Sequence, residues 1–325
     1  MAIAEGGAHG RVIANGGDVR AVAVGMTGQR PTPLLSVVMS IRDSAGTVVA
    51  AVRSVVGQSF TDWELILIDD GSKDDGAARV AAVGDPRIRI VSHAQARGLP
   101  CRLNEAVALS RGAFIARMDA DDVCYPDRLA AQVALLRRDP GLDLVSCRAI
   151  VFRGAGEPIG LFPVATDHAA IVARPLSGFY FPHPTWCGRA AWFHANPYDE
   201  TMIKAQDQEL LLRTAAKSRF GAVDAVLFGY RHERLEAGKS IKSRALFARA
   251  VWREGRRSGQ PAAALFGVAA QIAKTAADIL AVKLGMQGAL LRRRYAPAGA
   301  DEIARWSAVW AAVSGASTDS DSCAA

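Results

Sequence analysis

Three aspartates stand close together where a predicted strand ends. Asp119, Asp121 and Asp122 directly follow the apolar run Ala113–Met118, and the first two are spaced i and i+2. Carboxylates this close repel one another and resist desolvation, so the cluster needs a compensating cation. Mg²⁺ and Mn²⁺ take carboxylate and phosphate oxygens as ligands. The pattern therefore predicts a divalent-metal site, with a solvated acidic turn before a helix as the alternative.

Two further carboxylates stand at the ends of predicted elements. Asp70 follows the apolar run Trp63–Ile68, where a carboxylate can accept hydrogen bonds from a nucleobase N–H or from ribose hydroxyls. Asp207 opens a predicted helix, 207–218, whose dipole favours an ionised acid at its N-terminus. An ionised carboxylate there can act as base on a sugar hydroxyl. Helix capping and charge complementarity at a helix N-terminus are the alternatives.

A loop held by two prolines, Phe181–Trp186, carries two more candidate side chains. An exposed Trp186 ring would suit the C–H face of a sugar, and His183 can hydrogen-bond hydroxyls or phosphate. Both are therefore candidates for the acceptor side of a sugar site, and core packing is the alternative for Trp186.

These residues need a scaffold that brings strand ends together. Apolar runs predict strands at 34–39, 63–68, 87–91, 113–118 and 142–147, and amphipathic segments predict helices at 45–57, 102–110 and 128–138. The alternation predicts βαβ units, an α/β fold and a mostly parallel central sheet. Ligands of such sheets bind beyond the carboxyl ends of the strands, so the acidic clusters after the second and fourth strands should face one crevice.

Composition and charge narrow the class of protein. The 325 residues are 50% hydrophobic and 22% charged, which fits a globular protein and excludes a disordered one. The net charge is +7, and Lys239–Arg294 alone holds 12 Lys and Arg against 2 acids. A basic segment of this kind suggests contact with an anionic surface, either lipid or nucleic acid. Five scattered cysteines without a CxxC pair favour reduced thiols in the cytosol.

Both ends of the chain differ from the α/β region. Residues 1–32 are rich in Gly and Ala, show no signal peptide and predict a flexible tail. After Glu236 the composition turns helical, with an apolar stripe that includes Leu265 and Ile272. No membrane span is expected, because the uncharged stretch 258–273 is shorter than the ~20 residues a span needs. The segment is either an amphipathic helix at an anionic membrane or a helix packed on the α/β domain.

Five segments in order resemble the inverting family 2 glycosyltransferases with the GT-A fold. They are SVVMSIRD, AVRSVVGQSFTDWELILIDDGSKDD, ALSRGAFIARMDADDVCYPDRL, HPTW and AQDQELLLR. The resemblance extends from about Pro33 to Arg231. No single motif is decisive, but five in this order with this spacing are specific.

The resemblance implies a nucleotide-diphospho-sugar donor, a divalent metal (Mg²⁺ or Mn²⁺) and inversion at the anomeric carbon. By position it implies that Asp207 is the catalytic base and that Asp121, together with Asp119, binds the metal. The donor-binding residues that it implies are Ser40, Arg42, Asp43, Asp70, Asn104 and Asp119. Packing against a loop is an equal alternative for Asn104.

The sequence departs from the family pattern in two places. Arg42-Asp43 stands where Tyr-Asn is common, so stacking on the base is in question, although a guanidinium can also stack. Gln206-Asp207 stands where Glu-Asp is usual, and one base still suffices.

The expected protein is a metal-dependent inverting glycosyltransferase of cell-surface polysaccharide or glycolipid biosynthesis. It would act on a saccharide or lipid-linked acceptor, in the cytoplasm or peripherally at the inner face of the cell membrane, with no nucleic-acid partner. The expected domains are a tail (1–32), a GT-A domain (33–235) and a basic helical C-terminal extension (236–325).

One alternative to this function is a metal-dependent nucleotidyltransferase, which would require a Gly-rich basic loop after the first strand. The other is a non-catalytic basic protein that binds membrane or nucleic acid, which would not explain acidic strand ends.

Overall fold

The computed structural model describes residues 19–20, 31–233, 237–286 and 294–315. Its strands are β1 (Val19–Arg20), β2 (Leu35–Ile41), β3 (Trp63–Asp69), β4 (Ile88–His93), β5 (Phe114–Asp119), β6 (Val123–Cys124), β7 (Leu144–Arg153), β8 (Glu157–Phe162), β9 (Cys187–Arg189) and β10 (Phe220–Arg231). Its helices are α1 (Val48–Val56), α2 (Gly76–Ala81), α3 (Leu99–Leu109), α4 (Arg128–Arg138), α5 (His168–Ile171), α6 (Ala190–Ala195), α7 (Gln206–Thr214), α8 (Ala237–Arg257), α9 (Pro261–Lys283) and α10 (Ala300–Ser314). Apart from β1 and residues 31–32, the tail expected over residues 1–32 lies outside the described residues, as does the end of the chain after residue 315.

The described strands form one sheet in the order β1-β4-β3-β2-β5-β9-β7-β10-β6, with β8 paired to β7. The run β4-β3-β2-β5 is parallel, and so is the long pair β7-β10. The predicted mostly parallel α/β sheet is therefore confirmed. Strand β9 was not predicted: it runs antiparallel to both β5 and β7 and joins the two parallel parts.

Helices cover both faces of the sheet, which is why the central strands read as continuous apolar runs. Along β2, Leu35, Val37 and Met39 belong to one apolar cluster with residues of α1, α4 and α10, whereas Val38 belongs to the cluster on the opposite face. The apolar cluster on that second face includes residues of α3, α6 and α7, and it continues outward into α8 and α9. The two-sided burial fixes the register of β2, because a slip of one residue would exchange its faces.

The predicted helical C-terminal segment is confirmed as helical, but its three described helices differ in how they pack. Helix α8 lies against α7, and α9 lies against α8. Helix α10 returns to the main core, where the Trp306 side chain is fully buried and its Nε1–H donates to the Gly156 carbonyl at 2.6 Å. Packing on the α/β domain is therefore the correct alternative for α10. By length and composition, α9 could cross a membrane, contrary to expectation, and only 17% of its most apolar 18-residue window is buried.

Candidate active site

The acidic cluster lies at the carboxyl end of β5. Asp119 is the last residue of this strand, and Asp121 and Asp122 follow in the turn before β6. One carboxylate oxygen from each of the three lies within 4.8 Å of the others. The three carboxylates therefore converge, as predicted. Asp119 is half-buried and Asp122 is buried.

Two arginines contact this cluster. Arg117, whose side chain is buried, donates from Nη2 to the Asp119 carboxylate. At the end of β10, the backbone N–H of Arg231 donates to Asp122 Oδ1 at 2.7 Å, and its Nε donates to the Asp121 carbonyl at 2.9 Å. The remaining oxygen of Asp122, Oδ2, is buried and has no hydrogen-bond partner among the described residues.

The donor set fits a hard divalent cation. Asp121 is exposed, yet desolvation by its surroundings, followed by the charge of Asp119, raises its pKa to about 6. Burial and the neighbouring carboxylates raise the pKa of Asp122 well above its ordinary value. Repulsion of this kind, together with the buried and unpartnered Oδ2 of Asp122, is what a bound cation would relieve.

A cavity of about 290 Å³ lies beside the cluster and brings together residues that are far apart in sequence. Asp119 lines it from the sheet, Asp207 from the N-terminus of α7, and His183 from the proline-held loop. The buried Arg117 also lines it. Asp119 of the acid cluster and the candidate base therefore line one space. The crevice expected to join the acid cluster to the strand end at Asp70 stays a prediction, because Asp70 does not line this cavity.

The entry into α7 sets the position of Asp207. Ala205, just before the helix, has a left-handed backbone with φ of +55°, which is uncommon for a residue with a Cβ. Gln208 Nε2 donates to Asp207 Oδ2 at 3.2 Å, and Gln208 Oε1 accepts from the Phe179 N–H at 2.8 Å. Burial raises the pKa of Asp207, and the hydrogen bonds from Gln208 oppose that rise.

The two candidates of the proline-held loop, His183 and Trp186, differ in their surroundings. His183 Nε2 is 2.8 Å from the Tyr198 hydroxyl, and burial lowers the pKa of His183 far enough to keep the ring neutral. The predicted exposed face of Trp186 is wrong. Its side chain is fully buried, stacks near Phe181 and donates from Nε1 to the Phe181 carbonyl at 3.2 Å. Trp186 cannot touch an acceptor, because core packing occupies both of its faces.

The expected nucleotide end lies along the neighbouring strand ends. Ser40 is the register partner of Asp119 in the β2–β5 pair, so it stands directly beside the acid cluster. Arg42 and Asp43 follow in an exposed loop. Asp43 accepts from the Lys73 N–H at 2.7 Å and donates its own N–H to Ser72 Oγ at 3.1 Å. These bonds tie the loop after β2 to the loop after β3.

Asp70 holds a loop in place through both of its carboxylate oxygens. It accepts from the N–H groups of Arg97 and Gly98 at 2.7 and 2.9 Å and from Arg102 Nε at 2.7 Å. Although burial raises the pKa of Asp70, these hydrogen bonds outweigh it and hold the pKa below its ordinary value. The base contact implied for Asp70 stays a prediction.

Asn104 uses its amide on the loop before α7. Its Oδ1 accepts from the Tyr198 N–H at 2.8 Å, and its Nδ2 donates to the Tyr198 carbonyl at 3.0 Å. This is the loop-packing alternative. Tyr198 is also hydrogen-bonded to His183, which lines the cavity, so Asn104 helps to hold this part of the cavity wall in place.

Sequence reasoning missed Arg117 and Gln208. Arg117 is an isolated cation inside the apolar strand Phe114–Asp119, and its Nε and Nη1 have no hydrogen-bond partner among the described residues. An arginine inside an apolar strand is unusual, so the position of Arg117 in the sequence was a signal that could have identified it as a candidate functional residue. Gln208 gave no such signal, because its role depends on the distant Phe179 backbone.

Comparison with known proteins supplies independent information. Residues 36–163 match the family model described as glycosyl transferase family 2. The succinoglycan biosynthesis protein ExoU of Rhizobium meliloti is 36% identical over 212 residues, which cover 59% of this chain and 59% of that protein. The UDP-Glc:alpha-D-GlcNAc-diphosphoundecaprenol beta-1,3-glucosyltransferase WfgD of Escherichia coli is 30% identical over 106 residues, which cover 33% of this chain and 42% of that protein. The chain therefore spans less than two thirds of the length of each of these relatives.

A solved structure bears on the fold. The mannosyltransferase PcManGT of Pyrobaculum calidifontis, in complex with GDP-Man and Mn²⁺, superposes with a TM-score of 0.54 at 18% identity, covering 86% of this chain and 85% of that one. The predicted GT-A fold is confirmed by this likeness together with the sheet described above.

Proposed function

We propose that this chain, whose residues 36–163 match the model of glycosyl transferase family 2, moves a sugar from a nucleotide-diphospho-sugar to an acceptor hydroxyl with inversion. The observation that carries the proposal is a cavity of about 290 Å³ that is lined both by Asp119 of the acid cluster and by Asp207. A single displacement needs a stabilised leaving group on one side of the anomeric carbon and a base on the other. Glycosyl transfer is favoured over nucleotidyl transfer because the relatives are glycosyltransferases and polysaccharide biosynthesis proteins.

Asp119, Asp121 and Asp122 would hold a divalent cation, Mg²⁺ or Mn²⁺. Such a cation, when bound, supplies positive charge to the diphosphate of the donor. The buried guanidinium of Arg117, which contacts Asp119, contributes a fixed positive charge beside the same cation site. Ser40, Arg42 and Asp43 lie along the adjacent strand ends, where the nucleotide would extend.

Asp207 acts on the acceptor. Its carboxylate accepts the proton of the acceptor hydroxyl while the oxygen of that hydroxyl bonds to the anomeric carbon. The bond from that carbon to the diphosphate oxygen breaks on the opposite side, and inversion follows. Gln208 orients the carboxylate, and the neutral His183 remains available for a hydrogen bond with the acceptor or the sugar.

We further propose that the acceptor belongs to cell-surface polysaccharide or glycolipid assembly and is saccharide or lipid-linked. Support comes from the relatives, one of which acts on a diphosphoundecaprenol-linked sugar by its name. The enzyme would then work in the cytoplasm, at or near the inner face of the membrane.

A donor screen tests the first part of the proposal. The full chain is titrated calorimetrically with UDP-, GDP- and dTDP-sugars in the presence of Mg²⁺ or Mn²⁺, and again with a chelator. One donor class should bind, and both the chelator and Asp121→Asn should weaken its binding at least tenfold. If no nucleotide sugar binds under any of these conditions, the proposed function is wrong.

Asp207→Asn tests the base. Transfer should fall by about 10²–10⁴-fold, the usual contribution of a general base, while donor affinity stays within a few-fold. In the wild type, the rate should rise with pH through a pKa above the ordinary range of aspartate, because burial raises the pKa of Asp207 and only the ionised form accepts a proton. Glu200→Gln removes a nearby carboxylate that does not line the cavity and serves as the matched control. Near wild-type turnover by a folded Asp207→Asn variant would place the base elsewhere.

A further inference from the structure

Helix α9 presents an apolar surface that no described residue covers. Leu265, Phe266, Ile272 and Leu280, here called the outer face, are 62%, 84%, 65% and 57% exposed. Contiguous exposed apolar patches are rare on soluble monomers and mark sites of interaction. Leu284 and Met286 extend the apolar surface beyond the end of the helix.

Two polar residues of α9, Gln271 and Asp278, point inward, which is the reverse of an ordinary surface helix. Gln271 is buried and donates to the Leu176 carbonyl at 3.4 Å. Asp278 is buried and accepts from Arg244 at 2.6 Å and from Arg294 at 2.9 Å. The orientation of the helix is therefore held by polar contacts, and the large apolar residues of the outer face are directed away from the protein.

Close packing on the inner side leaves no room for rotation of α9. A Cβ added at Gly267 would lie 2.8 Å from Val251 Cγ1 and 3.0 Å from Leu176 Cβ. Only a residue without a side chain allows α9 to approach α8 at this point. A turn of the helix that buried the outer face would separate these contacts and expose Asp278.

The charge around the outer face identifies its occupant. Residues 237–286 hold nine Lys and Arg against two acids. Lys242, Arg249 and Arg256 of α8 are exposed, as is Lys283 at the end of α9. A second copy of this chain would bring an equal excess of positive charge to the same place and be repelled. An anionic lipid surface offers both an apolar interior and compensating charge.

We propose that α9 lies in the plane of an anionic membrane, with its outer face in the acyl boundary and the basic residues of α8 and α9 among the headgroups. Crossing the bilayer is disfavoured, because it would carry Gln271, Lys274 and Asp278 into hydrocarbon and break the pairs of Asp278 with Arg244 and Arg294. This inference rests on the proposed function in one respect: a lipid-linked acceptor would be presented at the same surface.

Vesicle flotation of the full chain tests the inference. Vesicles of phosphatidylglycerol and phosphatidylcholine should carry the protein, and pure phosphatidylcholine vesicles should carry much less. High salt should weaken the binding, because it screens the basic residues from the lipid. The double variant Leu265→Ser/Phe266→Ser should lower the apparent affinity at least tenfold. The matched control Ile303→Ser, on the exposed side of α10, should leave it unchanged.

Three results would overturn the inference. The wild type could fail to float with anionic vesicles. It could form a dimer in light scattering that the double variant abolishes, which would make a second copy the occupant. Bound protein could resist extraction by alkaline carbonate, which would indicate a spanning helix. Because these vesicles contain neither donor nor acceptor, the outcome is separate from the donor screen, in which the double variant should bind nucleotide sugar as the wild type does.

Discussion

Replacing Trp306 by alanine should destabilise the whole α/β domain, although this residue lies in the last described helix. The ring is fully buried and stands 4.6 Å from Phe152, 5.8 Å from Trp310 and 6.2 Å from Tyr125, measured between ring centroids. It lies directly on the backbone of β10, since a Cβ added at Gly229 would come within 2.2 Å of it.

The expected size of the effect follows from this packing. Truncating a buried Phe or Trp to Ala costs about 3–5 kcal/mol, depending on how far the site can collapse. Strand backbone and three rings surround Trp306 and cannot move far, and the Gly156 carbonyl loses its donor. A loss of about 4 kcal/mol is therefore expected, which lowers Tm by roughly 8–16 °C in a domain of this size.

Differential scanning calorimetry of the full chain measures this change. Trp252→Ala is the matched control, because Trp252 lies on α8 with 41% of its surface exposed and should shift Tm by no more than about 2 °C. A Tm of Trp306→Ala within that same range would refute the reasoning. It would mean that α10 is an appendage, as a domain boundary at residue 235 implies.

Two further changes test the charges around the site. Arg117→Met removes the buried cation beside Asp119, whose charge lowers the pKa of Asp207. The pKa of Asp207 should therefore rise in the variant, and the acid limb of the transfer rate should move to higher pH. An unmoved pH profile would contradict this role of Arg117. Asp70→Asn removes one of the two carboxylates that the buried Arg102 contacts and leaves Glu105 as the other, so the variant should lose about 1–3 kcal/mol in urea unfolding. Because the pKa of Asp70 in the folded protein is below its ordinary value, the ionised carboxylate stabilises the fold at pH values above the ordinary aspartate pKa. This stabilisation is lost as the pH falls through the lower folded value. If the loss of stability in Asp70→Asn persists unchanged at low pH, this account is wrong.

Local patterns were enough to predict the strands and the acidic strand ends. The runs that become β2, β3 and β5 are apolar because both faces of the sheet are covered, and the residue where each run stops is visible in the sequence. The convergence of Asp119 and Asp207 did not follow from the strand pattern, because Asp207 opens a helix; only the family resemblance gave both residues a role in one reaction.

Long-range contacts could not be predicted. Trp186 packs against Phe181, which in turn contacts the distant Phe220, and burial of Trp306 depends on strands more than 70 residues away in the sequence. An isolated Trp carries no information about which partner covers it. Strand β9 is three residues long, too short for its alternation to be detected.

The helix that carries the candidate base is bound to the helices that carry the apolar outer face. Glu209, two residues after Asp207, is buried and accepts from Arg253 of α8 at 2.7 Å and from Arg213 at 3.1 Å. Arg253 also donates to Asp199 at 3.0 Å, in the loop that contains Tyr198. Because α9 packs tightly on α8, these ion pairs connect the cavity wall to the outer face through rigid elements. We therefore expect a membrane-bound molecule to hold its cavity at a fixed height and tilt above the lipid, so that the reach of the acceptor from the bilayer selects which hydroxyl meets Asp207.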